Sequence, residues 1–102
     1  MRDVVWSETG LDDANEIVTN IASDNPAAAT KVLDRLELTA QRLGRLAVGR
    51  TGRVEGTYEK SVVGLPYIIA YAIRPLHSAK EQVVILRVIH TARNWPKGKW
   101  PK

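Results

Sequence analysis

The sequence has no cysteine among its 102 residues. That absence excludes a disulfide framework, a thiolate zinc site and a cysteine nucleophile. The first seven residues carry no apolar signal region, and no apolar run approaches the length of a membrane span. Hydrophobic residues make up 44% of the chain, enough for a packed core. The sequence therefore predicts one domain over residues 1–102, in the cytoplasm and without membrane contact.

The motifs of several common enzyme classes are also missing. The run Gly49-Arg50-Thr51-Gly52-Arg53 does not have the spacing of a phosphate-binding loop, and no serine lies in a nucleophile elbow. The two histidines are His77 and His90, and neither belongs to a cluster with metal-ligand spacing. The expectation is a protein with no metal site, no cofactor and no catalytic residue of these types.

Charge is distributed unevenly along the chain. Residues 1–43 contain four Lys or Arg and eight Asp or Glu, whereas residues 44–102 contain eleven and three. The first part thus carries −4 and the second +8, which gives the formal net charge of +4. This asymmetry predicts a basic working surface and a polyanionic partner, either nucleic acid or an acidic protein segment. The alternative is that the basic residues are scattered solubilising charges.

Two helices are predicted after a short strand at Val4-Val5-Trp6. Thr9 is the expected N-cap of the first helix, and Asn25 with Pro26 is expected to start the second, which runs to about Leu46. Apolar residues recur at helical spacing in both segments, and the short connection predicts an antiparallel hairpin. The two stripes are Leu11, Ala14, Ile17, Val18, Ile21 and Ala22, then Ala29, Val32, Leu33, Leu36, Ala40, Leu43 and Ala47.

Three strands are predicted after the glycine-containing loop 48–56. They cover residues 57–63, 67–73 and 82–89, with a turn at Gly64-Leu65-Pro66 and a polar loop containing Pro75. The order is β-α-α-β-β-β. The predicted fold class is α+β: an N-terminal strand, a helical hairpin and a three-stranded, mostly antiparallel sheet.

Basic and aromatic residues are the remaining candidates for function. Arg50, Arg53 and Lys60 lie in or just after the glycine loop, while His90 and Arg93 follow the last strand. Arginine can hold phosphate in bidentate geometry, and histidine can exchange a proton near neutral pH. For His90 the structural alternative is a satisfied strand-end histidine.

The sequence also predicts roles for Arg87 and for the tryptophans of the tail. Arg87 interrupts an apolar strand, so pairing with a carboxylate such as Glu55 or Glu59 is expected. Trp95 is expected to close the core, and Trp100 to make contacts in a basic, aromatic tail.

The chain resembles the ParE/RelE superfamily of toxins from bacterial type II toxin-antitoxin modules, and most closely its ParE-like branch. The resemblance covers nearly the whole length, and its motifs occur in the family's order. They are Trp6-Ser7, Asn25-Pro26, Gly49-Arg50 to Gly56, Gly64-Leu65-Pro66-Tyr67-Ile68-Ile69-Ala70-Tyr71, Ile85-Leu86-Arg87-Val88-Ile89-His90 and Arg93-Asn94-Trp95-Pro96.

The resemblance implies two alternative activities. ParE-like members act on DNA gyrase through protein contact, which here would place target contacts at Arg93, Trp95 and Trp100, with Arg50 and Arg53 secondary. RelE-like members cut messenger RNA on the ribosome with basic residues and a C-terminal tyrosine. On that reading Arg50, Arg53, Lys60, His90 and Arg93 would hold and cleave the phosphodiester. All three tyrosines lie upstream of Arg93, which favours the gyrase reading and a protein that is not an enzyme.

The resemblance also implies a partner. A cognate ParD-like antitoxin, which wraps an extended and often acidic segment around the toxin, would neutralise this chain in a hetero-oligomeric complex. The basic second half of the sequence is electrostatically suited to such a segment.

Overall fold

The computed structural model describes residues 2–47, 49–93 and 98–101. The loop residue Val48 and the tail residues Asn94, Trp95, Pro96 and Lys97 lie outside the described residues. Within these residues two α-helices and five strands follow one another: β1 Asp3–Trp6, α1 Glu8–Ala22, α2 Pro26–Arg45, β2 Arg50–Thr51, β3 Tyr58–Ser61, β4 Tyr67–Pro75 and β5 Glu81–His90. A single turn of 3-10 helix, His77–Ala79, lies between β4 and β5.

All five strands belong to one sheet, in the order β1-β5-β4-β3-β2. The neighbours β2, β3, β4 and β5 pair antiparallel, whereas β1 pairs parallel with β5, from Asp3 opposite Gln82 to Trp6 opposite Ile85. The predicted α+β class is confirmed. The sheet has one strand more than expected, because the two residues of β2 pair with β3 inside the segment predicted to be a loop.

Helix α1 begins earlier than the sequence predicts. Thr9 lies inside the helix, and Ser7 is the N-cap, with its hydroxyl accepting a hydrogen bond from the Gly10 N–H at 3.0 Å. The apolar face is rotated as well: Gly10 and Ala14 are buried while Leu11 is exposed. The cause is close packing, because a Cβ on Gly10 would lie 2.7 Å from the Ile85 carbonyl oxygen.

Helix α2 follows its prediction closely. The Asn25 side chain accepts a hydrogen bond from the Ala28 N–H at 3.1 Å, and Pro26 occupies the first helical position. The helix ends at Arg45, where Gly44 lies against β1: its carbonyl oxygen accepts a hydrogen bond from the Arg2 N–H at 2.8 Å. The two helices pack antiparallel on one face of the sheet.

The core lies between the helical hairpin and that face. Its central side chains come from α2 and the two long strands, and several are fully buried: Leu36, Leu43, Ile69, Tyr71, Val83 and Ile85. Burying a leucine or isoleucine side chain contributes about 1.5–3 kcal/mol. Among the described residues no helix is long and apolar enough to cross a membrane.

Candidate functional site

Strand β5 is longer than its neighbour β1, so part of the β5 edge extends beyond the last residue of β1. Its next backbone groups are bonded by α1 and its cap. The Ser7 N–H donates to the Ile85 carbonyl at 2.9 Å, and the Ser7 hydroxyl donates to the Leu86 carbonyl at 3.2 Å. Here the register of the β4–β5 pair shifts, since Tyr71 faces Ile85 while Ala70 faces Arg87. Beyond β1, this edge of β5 is therefore bonded by the N-cap residue of α1 and not by another strand.

Asp13 on α1 joins the helix to this edge. Its Oδ2 accepts hydrogen bonds from Arg87 Nε at 2.7 Å and from the Val88 N–H at 3.0 Å, and its Oδ1 accepts from Arg87 Nη2 at 3.4 Å. Arg87 therefore has a carboxylate partner, but the predicted partners Glu55 and Glu59 were wrong. The edge of β5 faces α1, while Glu59 lies on β3 and is bonded by Arg50.

An open groove of about 550 Å³ lies next to this contact. One wall is α1, the floor is the end of β5 together with Tyr67 of β4, and the far side is the start of the C-terminal tail. Apolar and charged side chains alternate along it. The lining residues are Asp13, Glu16, Ile17, Asn20, Ile21, Tyr67, Arg87, Val88, Ile89, His90, Ala92, Arg93 and Pro101.

His90 holds the floor of the groove to the turn that follows it. Its Nδ1 accepts a hydrogen bond from the Ala92 N–H at 3.0 Å, and its carbonyl accepts from the Arg93 N–H at 3.0 Å. Because Nδ1 is the acceptor, the neutral ring carries its proton on Nε2. The ring also packs edge-on against Tyr67, with centroids 5.4 Å apart. These contacts match the satisfied strand-end histidine that was the structural alternative.

Of the predicted contact residues of the tail, Arg93 lies at the groove. Arg93 is exposed and lines it, and Pro101 is buried at its far side. Trp100 is half-buried, and its indole N–H is buried without an acceptor in the described part of the chain. Trp95 is outside the described residues, so its two expected roles stay predictions.

Arg50 and Arg53 lie elsewhere, around a buried carboxylate. Glu59 is only 5% exposed, and its Oε1 accepts hydrogen bonds from Arg50 Nη2 at 3.3 Å and Nε at 3.4 Å. Its Oε2 accepts from the Arg53 backbone N–H at 2.8 Å. This arrangement fixes β2 and its loop against β3, so Arg50 has a structural task in addition to any contact it makes.

The five residues of the RNA-cleavage alternative are therefore spread across the sheet. Arg50 and Arg53 belong to β2 and its loop, Lys60 to β3, and His90 and Arg93 to the far end of β5. Two strands separate β2 from β5, which corresponds to about 14 Å at the usual strand spacing. Groups that act on one phosphodiester must reach it within hydrogen-bond distance, so these side chains would have to extend toward one another from strands that are not neighbours, which does not favour the alternative.

Tyr71 is a buried tyrosine whose hydroxyl has a raised pKa. Its ring is fully buried and stacks on Tyr58 at a centroid distance of 5.5 Å. Burial raises the pKa of the Tyr71 hydroxyl above its ordinary 10.0, and the adjacent backbone of Gly49 offsets this only in part. The hydroxyl has no hydrogen bond of standard geometry to any described residue. Tyr71 is thus a packing residue, as its place on an apolar strand predicts.

Sequence reasoning missed Asp13 and the α1 wall of the groove. The helix dipole already favours an acidic residue near the N-terminus of a helix, so Asp13 does not stand out in the sequence. A signal was available, because Asp13 stands four residues before Ile17 and eight before Ile21, on the stripe that faces the sheet. No group of three or more residues that could hold a metal ion occurs within residues 2–47, 49–93 and 98–101.

This fold is a small α+β domain with an open groove at one end of its sheet. A family model described as the ParE toxin of the type II toxin-antitoxin system parDE matches residues 4–95. The chain therefore belongs to the ParE toxin family. It is the toxin of a ParDE-type system.

A relative supports this assignment, and a solved structure has a similar fold. The chain is 34% identical over 93 residues to the Sinorhizobium fredii (strain NBRC 101917 / NGR234) protein named "Putative toxin Y4kP", covering 90% of this chain and 91% of that one. The fold is similar to a chain of the structure named "Chromosomal ParDE TA system from P. aeruginosa". That match has a TM-score of 0.75 and 18% identity, and covers 88% of this chain and 96% of that chain.

Proposed function

We propose that this toxin inhibits or poisons DNA gyrase by protein contact in the cytoplasm, and that a cognate ParD-like antitoxin neutralises it by occupying the groove between α1 and the end of β5. The observation that carries this proposal is the position of Arg93. It is the first residue of the predicted target-contact set, and it lines the same groove as Ile17 and Ile21. A segment bound in the groove therefore covers Arg93 and blocks its contact with a target.

The composition of the groove supports a peptide occupant. Ile17, Ile21, Val88 and Ile89 give it apolar surface, and charged groups of both signs stand at its rim. A helix or extended segment with an apolar face fits such a groove, and its charged residues then fix the register. The name of the similar Pseudomonas structure, a ParDE toxin-antitoxin system, supports an antitoxin as the partner.

Growth arrest on induced expression tests the target-contact assignment. Arg93→Ala is expected to relieve the arrest without unfolding the chain, since Arg93 is exposed. Arg35→Ala, which removes an exposed arginine from the outer surface of α2, is the matched control and is expected to leave toxicity intact. Undiminished arrest by a folded Arg93→Ala variant would contradict the assignment.

Antitoxin binding tests the groove separately. Ile17→Glu places a charge on the apolar wall and is expected to weaken binding of the antitoxin by at least tenfold, measured by calorimetry. Thr19→Glu adds the same charge to the exposed side of α1 and is expected to bind normally. Equal affinity of the two variants would place the antitoxin on another surface.

A further inference from the structure

Three elements meet at the end of the sheet opposite the groove. The Arg2 N–H bonds the Gly44 carbonyl at 2.8 Å and so holds the start of β1 against the last turn of α2. The Arg2 guanidinium bonds Glu81 Oε1 from Nη2 at 2.9 Å and from Nε at 3.1 Å, which ties β1 to the β4–β5 hairpin. The charged residues brought together here form what we call the basic end-surface: Arg2, Asp3, Arg42, Arg45, Arg74, Lys80 and Glu81.

Most of the chain's net charge is concentrated on this surface. Its five cations and two carboxylates carry a net +3, compared with +4 for the whole chain. Only one cation is neutralised locally, by the ion pair between Arg2 and Glu81. The side chains of the other four cations are exposed and make no ion pair with any residue that the structure describes: Arg42, Arg45, Arg74 and Lys80.

Three of these four cations, all arginines, stand on a helix or a strand. Arg42 and Arg45 stand in the last turn of α2, where the helix dipole stabilises positive charge. Arg74 is near the end of β4, opposite Gln82 of β5. Their planar guanidinium groups match the geometry of phosphate oxygens.

We propose that the basic end-surface binds the phosphate backbone of duplex DNA. Cations spread over a helix end, a strand end and a hairpin suit a rigid polyanion better than a peptide, which needs a groove or a strand edge to order it. None of the seven described residues that define the surface is aromatic, so they offer no stacking platform of the kind with which proteins hold single-stranded nucleic acid. This activity goes beyond the proposed function, and it requires only the toxin and DNA.

The groove and the basic end-surface lie at opposite ends of β5. Glu81, its first residue, belongs to the basic end-surface, and His90, its last, lines the groove. A partner in the groove therefore leaves the basic end-surface accessible, and the two sites can be tested independently.

Fluorescence anisotropy of a labelled duplex of about 20 base pairs, titrated with purified toxin over a range of salt concentrations, tests the proposal. Non-specific protein–DNA binding has a Kd of about 10⁻⁴ to 10⁻⁶ M, and each neutralised phosphate contributes about 0.9 to the slope of log K against log salt. We expect the triple variant Arg42→Ala, Arg45→Ala, Arg74→Ala to flatten this slope by about 2 to 3.

A charge-matched variant tests whether DNA binding depends on the basic end-surface or only on the net charge of the protein. Lys31→Ala, Arg35→Ala, Lys99→Ala removes three exposed cations from other parts of the molecule and is expected to keep the wild-type slope. Circular dichroism checks that both variants are folded. Equal slopes for the two triple variants, or no binding of duplex at 25 mM salt, would overturn the proposal. Tighter binding of polyglutamate or single-stranded RNA than of duplex DNA would overturn it as well.

Discussion

The bond between Asp13 and Arg87 gives the sharpest prediction about how the groove is held open. Asp13→Ala removes the acceptor of three hydrogen bonds, two from Arg87 and one from the Val88 N–H. The substitution leaves a guanidinium with 23% of its side chain exposed and a strand N–H that α1 no longer bonds. The free energy of unfolding is expected to fall, because the Arg87 guanidinium and the Val88 N–H lose water contacts on folding and, in this variant, no longer gain the carboxylate as an acceptor.

The magnitude follows from the partial burial of the pair. Breaking a fully buried ion pair costs about 3–5 kcal/mol, and the solvent that reaches Asp13 and Arg87 reduces this to about 2–3 kcal/mol. Asp13→Asn keeps one oxygen as the acceptor for the Val88 N–H but loses the charge and the second acceptor oxygen toward Arg87, so we expect a loss of about 1–1.5 kcal/mol. The difference between the losses of unfolding free energy in Asp13→Ala and Asp13→Asn thus separates the contribution of the backbone contact from that of the ion pair.

A double-mutant cycle by urea unfolding measures the coupling directly. Asp13→Ala and Arg87→Ala, alone and together, are expected to give a coupling free energy of about 1–2 kcal/mol. The exposed pair of Arg2 and Glu81, whose side chains are 35% and 47% exposed, is the internal control and should give less than about 1 kcal/mol. Equal coupling in the two cycles would refute the claim that Asp13 fixes α1 to β5.

Two further substitutions test the helix cap and the buried tyrosine. Ser7→Ala is expected to cost about 1–2 kcal/mol of unfolding free energy, because Ser7 caps α1 and also bonds Leu86, whereas Thr9→Ala should change it by less than about 0.5 kcal/mol; urea unfolding measures both. Tyr71→Phe removes a buried hydroxyl that makes no hydrogen bond of standard geometry with any described residue, and it is expected to leave stability unchanged or to raise it by about 1 kcal/mol. Since the folded-state pKa of Tyr71 is raised, the native state favours its neutral form, and wild-type stability is retained below about pH 10 and falls as pH rises above it. Thermal melts of Tyr71→Phe at alkaline pH should lack the part of the stability loss that comes from ionisation of Tyr71. Identical pH profiles of stability for the variant and the wild type would contradict this prediction.

The sequence was sufficient for those parts of the fold that local patterns determine. Asn25 and Pro26 marked the start of α2, and the apolar run before His90 marked the longest strand, because caps and apolar runs depend on neighbouring residues. The two residues of β2 escaped prediction, since their strand exists only through pairing with Tyr58 and Glu59. The parallel pairing of β1 with β5 joins segments almost 80 residues apart and leaves no local signal.

The candidate site was predicted only on the side formed by the end of the chain. His90 and Arg93 stood out because they interrupt or follow an apolar strand, whereas the α1 wall looked like an ordinary amphipathic helix. The partner of Arg87 could not be chosen by sequence proximity. Glu55 and Glu59 are nearer along the chain, yet Asp13, 74 residues away, is the carboxylate that the β5 edge meets.

The central claim is that this toxin acts on gyrase and that its antitoxin reverses the action. The most direct measurement is a supercoiling reaction with purified gyrase, relaxed plasmid and ATP, with the purified toxin added alone or with its antitoxin. We expect the toxin to abolish supercoiling or to accumulate linear plasmid, and the antitoxin to restore the normal products. Unaffected gyrase in the presence of folded toxin, together with ribosome-dependent cleavage of messenger RNA, would contradict the claim and favour the ribonuclease alternative.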